Sequence, residues 1–137
     1  MIKSHINNLQ SKGFRITSAR SAIINLLEST PHPITANSIH KLLKKVGTDV
    51  NITTVYREIE FLLSQKIINK IQLFDTELHY EMADRTHHHH IVCTDCKAIE
   101  DLKIDSEKDL LDEVCSDTRY KISTHSLTFY GVCPACK

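Results

Sequence analysis

No apolar run in the 137 residues approaches the roughly 18 needed to cross a bilayer as a helix. The opening MIKSHINNLQ also lacks the apolar core of a signal peptide. Both absences point to a cytoplasmic protein without membrane contact, in a compartment that keeps thiols reduced. Charge of one sign is missing as well: 17 Lys and Arg balance 17 Asp and Glu. The balance conceals an asymmetry, because residues 1–57 carry eight basic side chains against two acidic ones, while residues 84–137 carry seven against ten. The basic half is therefore the one to consider against nucleic acid. Disorder is excluded by a hydrophobic content of 41%. An HExxH zinc-hydrolase motif is absent, and valine rather than proline precedes both CxxC pairs, so His79-Tyr80-Glu81 is left as an isolated HxE rather than part of a deaminase signature.

What is present is concentrated in HHHHIVCTDC, His87 to Cys96, where six possible metal ligands fall within ten residues. Cys93 and Cys96 form one CxxC pair, and Cys133 and Cys136 form a second in CPAC. Two such pairs supply the four sulfurs of a closed tetrahedral site, which reads as a structural zinc (Zn2+) staple. A redox pair or a disulfide framework explains the pattern less well, since either would use one CxxC or leave Cys115 over. Cys115 is read as a small core residue on a helix. Zinc of this kind contributes on the order of 10–16 kcal/mol of apparent binding free energy, more than the whole stability of most small domains. The four histidines precede the first pair directly. In an extended segment His88 and His90 share one face and His87 and His89 the other, so two faces could serve two ions.

The basic half reads as short helices. Ile2, Ile6 and Leu9 recur at helical spacing up to Gly13; Thr17 or Ser18 can cap a second helix with Ile23, Ile24, Leu26 and Leu27 inward before Pro31 and Pro33. Thr35 opens a third with the stripe Ile39, Leu42, Leu43 and Val46, ended by Gly47, and Asn51 caps a fourth carrying Val55, Ile59, Leu62 and Leu63. The last two suggest helix-turn-helix. IINKIQLF, a DTE turn and LHYEM then read as a hairpin, the wing of a winged helix. In that arrangement the second helix enters the major groove, led by Thr53, Thr54, Tyr56 and Arg57, while Arg15 and Arg20 lie near the backbone or on an ordinary charged surface. Downstream, HHIVC and AIEDLKI pair across the zinc knuckle. SEKDLLDEVCSDT forms a helix with Leu110, Leu111, Val114 and Cys115 inward, and KISTHSLTFYG alternates as a third strand. Tyr80, His79, His5 and His40 are read as structural or surface residues.

The order GFRITSAR, TTVYR, a hairpin, HHHHIVCTDC, THSLTFYG and CPAC resembles the ferric uptake regulator family of metal-dependent bacterial repressors, along essentially the whole chain. The resemblance implies an α+β protein: an N-terminal winged-helix DNA-binding domain, residues 1–83, and a small α/β dimerisation domain, residues 84–137. It implies a homodimer on a palindromic double-stranded operator and a regulatory ion that favours the DNA-binding arrangement. Carried over by position, that ion takes His32, Glu81, His88, His90 and Asp101. A further site of the family would use His87, His89, His125 and an acidic residue near position 108, where this chain has Lys108 and, one place earlier, Glu107. Imidazoles with carboxylates suit Fe2+, Mn2+ or Zn2+. The expected function is a non-enzymatic, metal-responsive repressor sensing iron(II) or a similar ion, with a peroxide sensor of the same family as the alternative. A zinc hydrolase or deaminase is disfavoured because four thiolates leave no open metal position. A metal-storage protein would not need TTVYR on a capped helix beside a wing.

Overall fold

A computed structural model describes residues 2–73 and 77–137, with side chains from Ser4 onward. The chain divides into two compact units, Met1–Arg85 and Thr86–Lys137. The turn expected at Asp75-Thr76-Glu77 lies mostly outside the described residues, as does the Ile2 side chain.

Local sequence signals account for the helices of the first unit. Helix α1, Ile2–Ser11, ends where Gly13 takes φ +86°, a left-handed conformation that costs glycine little. Helix α2, Ser18–Ser29, starts at Thr17, whose hydroxyl accepts the Arg20 N–H at 3.1 Å. A two-residue strand β1, Ile34–Thr35, runs into helix α3, Ala36–Lys45, where the Thr35 hydroxyl accepts the Ser38 N–H at 3.1 Å. Helix α4, Ile52–Ser64, is capped by Asn51 through the Thr54 N–H at 2.8 Å. Each such cap contributes about 1 kcal/mol. The helices bury Leu9, Ile23, Ile24, Leu27, Ile39, Leu43, Val55, Ile59 and Leu62 in one core. Fully burying an aliphatic side chain is worth about 1.5–3 kcal/mol, so this cluster dominates the unit. Val46 departs from the expected stripe and is 72% exposed. It is the C-cap of α3, where the chain has left the helical path that brought Ile39 and Leu43 inward.

The expected hairpin consists of β2, Ile68–Gln72, antiparallel to β3, Leu78–Met82, with Ile68 opposite Met82 and Lys70 opposite Tyr80. Strand β1 adds to the other side of β3, giving the order β1-β3-β2. Two residues are too few for a periodic signal, so the sequence reading missed β1. Helices followed by this sheet form the winged helix.

One buried ion pair ties α2 to α4. Arg20 Nε donates to Glu58 Oε2 at 2.7 Å and Nη2 to Oε1 at 3.2 Å, with both side chains largely buried. The guanidinium also lies 3.7 Å over the Phe61 ring, and its Nη1 donates to the Arg15 carbonyl. Arg20, expected near a nucleic-acid backbone, is therefore spent inside the fold.

The second unit is a sheet in the order β5-β4-β6 with one helix. Strand β4, His89–Cys93, pairs antiparallel with β5, Ile99–Leu102, and parallel with β6, Thr128–Gly131. Helix α5, Glu107–Thr118, lies between β5 and β6 in the chain. The expected third strand is shorter than 121–131, because β4 offers β6 partners only from His90 to Cys93. Helix α5 buries none of its residues, contrary to the expected inward stripe: Leu110 and Val114 are exposed, and Leu111 and Cys115 half-buried. Among the described residues, Leu110 and Val114 on that face are left uncovered.

Removing one partner of a buried pair strands the other charge. Glu58→Ala should destabilise the first unit by about 3–5 kcal/mol, whereas Glu60→Ala, on an exposed position of the same helix, should change it by less than about 0.5 kcal/mol. Denaturant titration of both variants measures this, and equal small shifts would show the pair to be dispensable.

Candidate metal centres

Strand β4 delivers Cys93 at its end, and the following turn brings Cys96 back toward it. Lys97 sits at φ 65° in that turn, with its N–H on the Cys93 carbonyl at 3.0 Å. The turn after β6 does the same with Cys133 and Cys136, the Cys136 N–H meeting the Cys133 carbonyl at 3.0 Å. All four Sγ atoms lie within 4.8 Å of one another. Cys96 and Cys133 are 3.8 Å apart. Tetrahedral zinc with Zn–S bonds of about 2.3 Å requires sulfurs separated by about 3.8 Å, so the cage has the right size.

The electrostatics of the cage favour thiolate at Cys93. Backbone N–H groups of Cys133 and Cys96 point at Cys93 Sγ from 3.4 and 3.5 Å and lower its pKa to about 6. Four sulfurs this close cannot all carry charge without a cation. Hydrogen bonding with Cys133 and Cys96 accordingly pushes the Cys136 thiol up to about 12. A bound divalent ion would remove that conflict.

Alternation along the histidine run sorts the imidazoles by face. His87, His89 and His125 converge with Glu107. His89 Nε2 is 2.7 Å from Glu107 Oε1 and His87 Nε2 is 2.9 Å from Oε2; His125 Nε2 also bonds Oε1. Burial alone would raise the Glu107 carboxyl, but hydrogen bonds from the three imidazoles outweigh it and hold the pKa at about 2. The acidic residue of this cluster is Glu107, at the start of α5, rather than Lys108.

On the opposite face, His88 and His90 bring their Nε2 atoms to 3.1 Å. Asp101, paired across the sheet with His90, places Oδ1 3.9 Å from His88 Nε2 and 3.8 Å from His90 Nε2. The Thr86 carbonyl can only accept, so it fixes the His88 proton on Nδ1, 2.6 Å away. In the neutral ring this leaves the lone pair on Nε2, the tautomer a metal requires. Two imidazoles and a carboxylate thus gather within the second unit.

In the first unit Glu81 is buried on β3, where Arg85 Nη1 donates to its Oε2 at 2.8 Å. Sequence reasoning missed Arg85. The only signal available was its i+4 spacing from Glu81. His32 is exposed in the turn before β1. Of the residues considered for nucleic acid, Thr53, Tyr56 and Arg57 are exposed at the start of α4, Thr54 is half-buried beside them, and Arg15 is exposed ahead of α2.

A family model described as "Ferric uptake regulator family" matches residues 11–130. The ferric uptake regulation protein of Bacillus subtilis (strain 168) is 32% identical over 132 residues, covering 93% of this chain and 89% of its own. The ferric uptake regulator of Francisella tularensis, solved with iron, superposes with a TM-score of 0.81 at 28% identity, covering 90% of this chain and 95% of its own. That of Helicobacter pylori, described as having three functional metal-binding sites, gives a TM-score of 0.85 at 20% identity over 98% of this chain and 91% of its own.

Proton competition at the cysteine cage has a defined sign. The Cys136 and Cys96 thiols, both raised, must be deprotonated to bind zinc, so affinity should fall by about a hundredfold or more for each unit of acidification below pH 8, and more steeply below about 6, where Cys93 protonates too. Chelator competition between pH 8 and 5 reads this slope directly. A flat profile would show that thiolates are not the ligands. Cys96→Ser should release the ion and unfold the second unit, seen as loss of sheet signal in far-UV circular dichroism.

Proposed function

The chain belongs to the ferric uptake regulator family of metal-responsive transcription regulators, and on that premise we propose that it is an iron(II)-sensing repressor that binds operator DNA as a homodimer. One observation carries the metal half of this reading: a single strand separates two sets of oxygen and nitrogen donors from a sulfur cage. The cage suits zinc held permanently. The imidazole and carboxylate sets suit an exchangeable ion such as Fe2+, Mn2+ or Zn2+.

Residues are assigned accordingly. Cys93, Cys96, Cys133 and Cys136 hold structural zinc. His88, His90 and Asp101 are ligands of the regulatory ion, with Glu81 and His32 added on the strength of the family pattern. Glu81 would exchange Arg85 for the ion, and His88 is held in the binding tautomer by Thr86. His87, His89, Glu107 and His125 form a further site. Binding at the regulatory site favours the DNA-binding arrangement, and loss of the ion relieves repression. The exposed apolar side chains Leu110 and Val114 on α5, with Ile91 and Phe129 on paired strands, support a dimer formed through the second unit. A cytoplasmic regulator without catalytic activity is the corresponding assignment.

For DNA, Thr53, Thr54, Tyr56 and Arg57 are assigned to the major groove and Arg15 to the phosphate backbone. Arg20 is withdrawn, since its guanidinium already holds Glu58 and the Arg15 carbonyl. By fixing that carbonyl, Arg20 positions the segment from which Arg15 projects.

A second reading is supported by Asp101. Within the family the peroxide-sensing branch tends to place aspartate where the iron-sensing branch places glutamate, and this chain combines Asp101 with Glu81. Glu81 and the HHHH run favour reversible iron sensing.

Arg57→Ala should weaken operator binding, and Arg15→Ala should in addition reduce the slope of log K against log salt by about 0.9, the change expected for one phosphate contact. Fluorescence anisotropy at several salt concentrations, with and without Mn2+ as a redox-inert substitute, measures both terms; metal-independent binding would overturn the sensing role. Peroxide sensing is separated by loading with Fe2+, adding a small excess of hydrogen peroxide and mapping peptides by mass spectrometry. Iron sensing predicts histidines of unchanged mass and DNA binding that fresh metal restores. One added oxygen on His32 or His88, with binding permanently lost, selects the peroxide sensor.

A further inference from the structure

Arg15 sits in the connector between α1 and α2, and that connector rests on α4. Phe14 and Ile16, on either side of it, pack against the core, which sends the Arg15 side chain outward. The Phe14 ring meets the Phe61 ring edge-on, with centroids 5.0 Å apart. The Arg15 carbonyl accepts from Arg20 Nη1 at 2.7 Å, and the same guanidinium holds Glu58 through Nε at 2.7 Å and Nη2 at 3.2 Å. Glu58 and Phe61 are three residues apart on α4, hence on one face, and Glu58 directly follows Arg57. The backbone under Arg15 is therefore fastened to the helix that carries Tyr56 and Arg57.

Arginine is the side chain this junction needs. Its planar guanidinium holds donors in fixed directions, so one group can fork onto a carboxylate and still donate sideways to a carbonyl. Lysine offers a single ammonium point without such a plane. Stacking on Phe61, 3.7 Å from its centroid, fixes the plane itself. A buried ion pair stabilises a fold little more than apolar residues of the same volume, so stability alone does not account for it. Direction is what this pair adds: it sets where the exposed Arg15 stands relative to the exposed Arg57. A loose connector would have to be ordered when DNA binds, and each backbone residue so ordered costs about five- to thirtyfold in affinity.

We propose that Arg20 and Glu58 are a positioning pair for DNA recognition: they touch no DNA, and they hold the Arg15 phosphate contact at a fixed spacing from the groove contacts of α4. The inference rests on the assignment above of Arg15 to the phosphate backbone and of Tyr56 and Arg57 to the major groove. It adds that the two contacts form one rigid footprint, so that Arg15 contributes fully only while the Arg20 bridge is intact.

The test is a double-mutant cycle on the full-length, zinc-containing protein loaded with Mn2+. The probe is a fluorescein-labelled duplex selected by the wild-type protein from a random-sequence library, with anisotropy read at several salt concentrations. Arg20→Lys keeps the charge, so neither a lost charge nor a merely structural role changes the salt slope. A positioning role does: Arg20→Lys should lower the slope of log K against log salt by about 0.9, as Arg15→Ala does, and the double variant should bind within about twofold of either single one. Without DNA, 15N relaxation of the Arg15 and Ile16 amides should match that of α2 in the wild type and show added fast motion in Arg20→Lys. Should Arg20→Lys fail to fold, Glu58→Gln takes its place in the cycle. There too the slope should fall, although removing an acidic group would by itself only strengthen attraction to phosphate. Equal loss from Arg15→Ala in both backgrounds, with the wild-type slope kept by Arg20→Lys, overturns the proposal and leaves the DNA-binding assignment standing. If Arg15→Ala alone leaves affinity and slope unchanged, the phosphate assignment itself is wrong and the positioning role falls with it.

Discussion

The second unit cannot hold itself together by burying apolar surface, and much of the chain's behaviour follows from that. Its buried side chains are His89, His90, Val92 and Cys93, of which Val92 alone is an ordinary aliphatic. Burying one valine offsets about 1.5–3 kcal/mol, against a conformational entropy cost near 1–2 kcal/mol for each ordered backbone residue. A metal bound by the four thiolates and a second chain covering the exposed apolar face, both as proposed above, would supply the stability that burial does not.

The same shortage bears on where the proposed sensing ligands sit. Strand β4 is anchored at Cys93 by the cage and flanked on both sides by β5 and β6, so the histidines at and before its start are carried by the most firmly tethered segment of the unit. Pleating by two residues sends His88 and His90 to Asp101, and His87 and His89 to Glu107. A one-residue slip in register would exchange the two sets and give each the other's carboxylate. The cage at one end of the strand prevents it.

In the first unit, by contrast, the core is large enough to allow polar groups special tasks. The Arg20–Glu58 pair is buried between α2 and α4 under Phe61 and fixes the Arg15 carbonyl. Glu81 lies buried on β3, where Arg85 donates to its carboxylate. An aliphatic core that already stabilises the helices can carry such desolvated charges.

Sequence alone determined what rests on short-range chemistry. Thr35 and Asn51 start their helices as read, because capping needs only a side-chain oxygen three residues before an N–H. The thiolate cage was readable because CxxC closes a turn by itself, and the division of the histidines by face because a strand has period two. Two capped helices followed by an alternating hairpin suggested the winged helix, and the family resemblance supported it. Tertiary structure decided whatever depends on two segments meeting. Arg20 looked like a surface cation until Glu58, 38 positions away, claimed it. Leu110 and Val114 formed an inward stripe by periodicity but face outward in this chain, since periodicity says that a face is apolar and not what covers it. Strand β1 was too short to have a pattern. His5, Glu28 and Asp84 are ordinary polar residues in the sequence, and only the packing of α1 against α2 and the end of β3 brings them together as an ion-pair cluster.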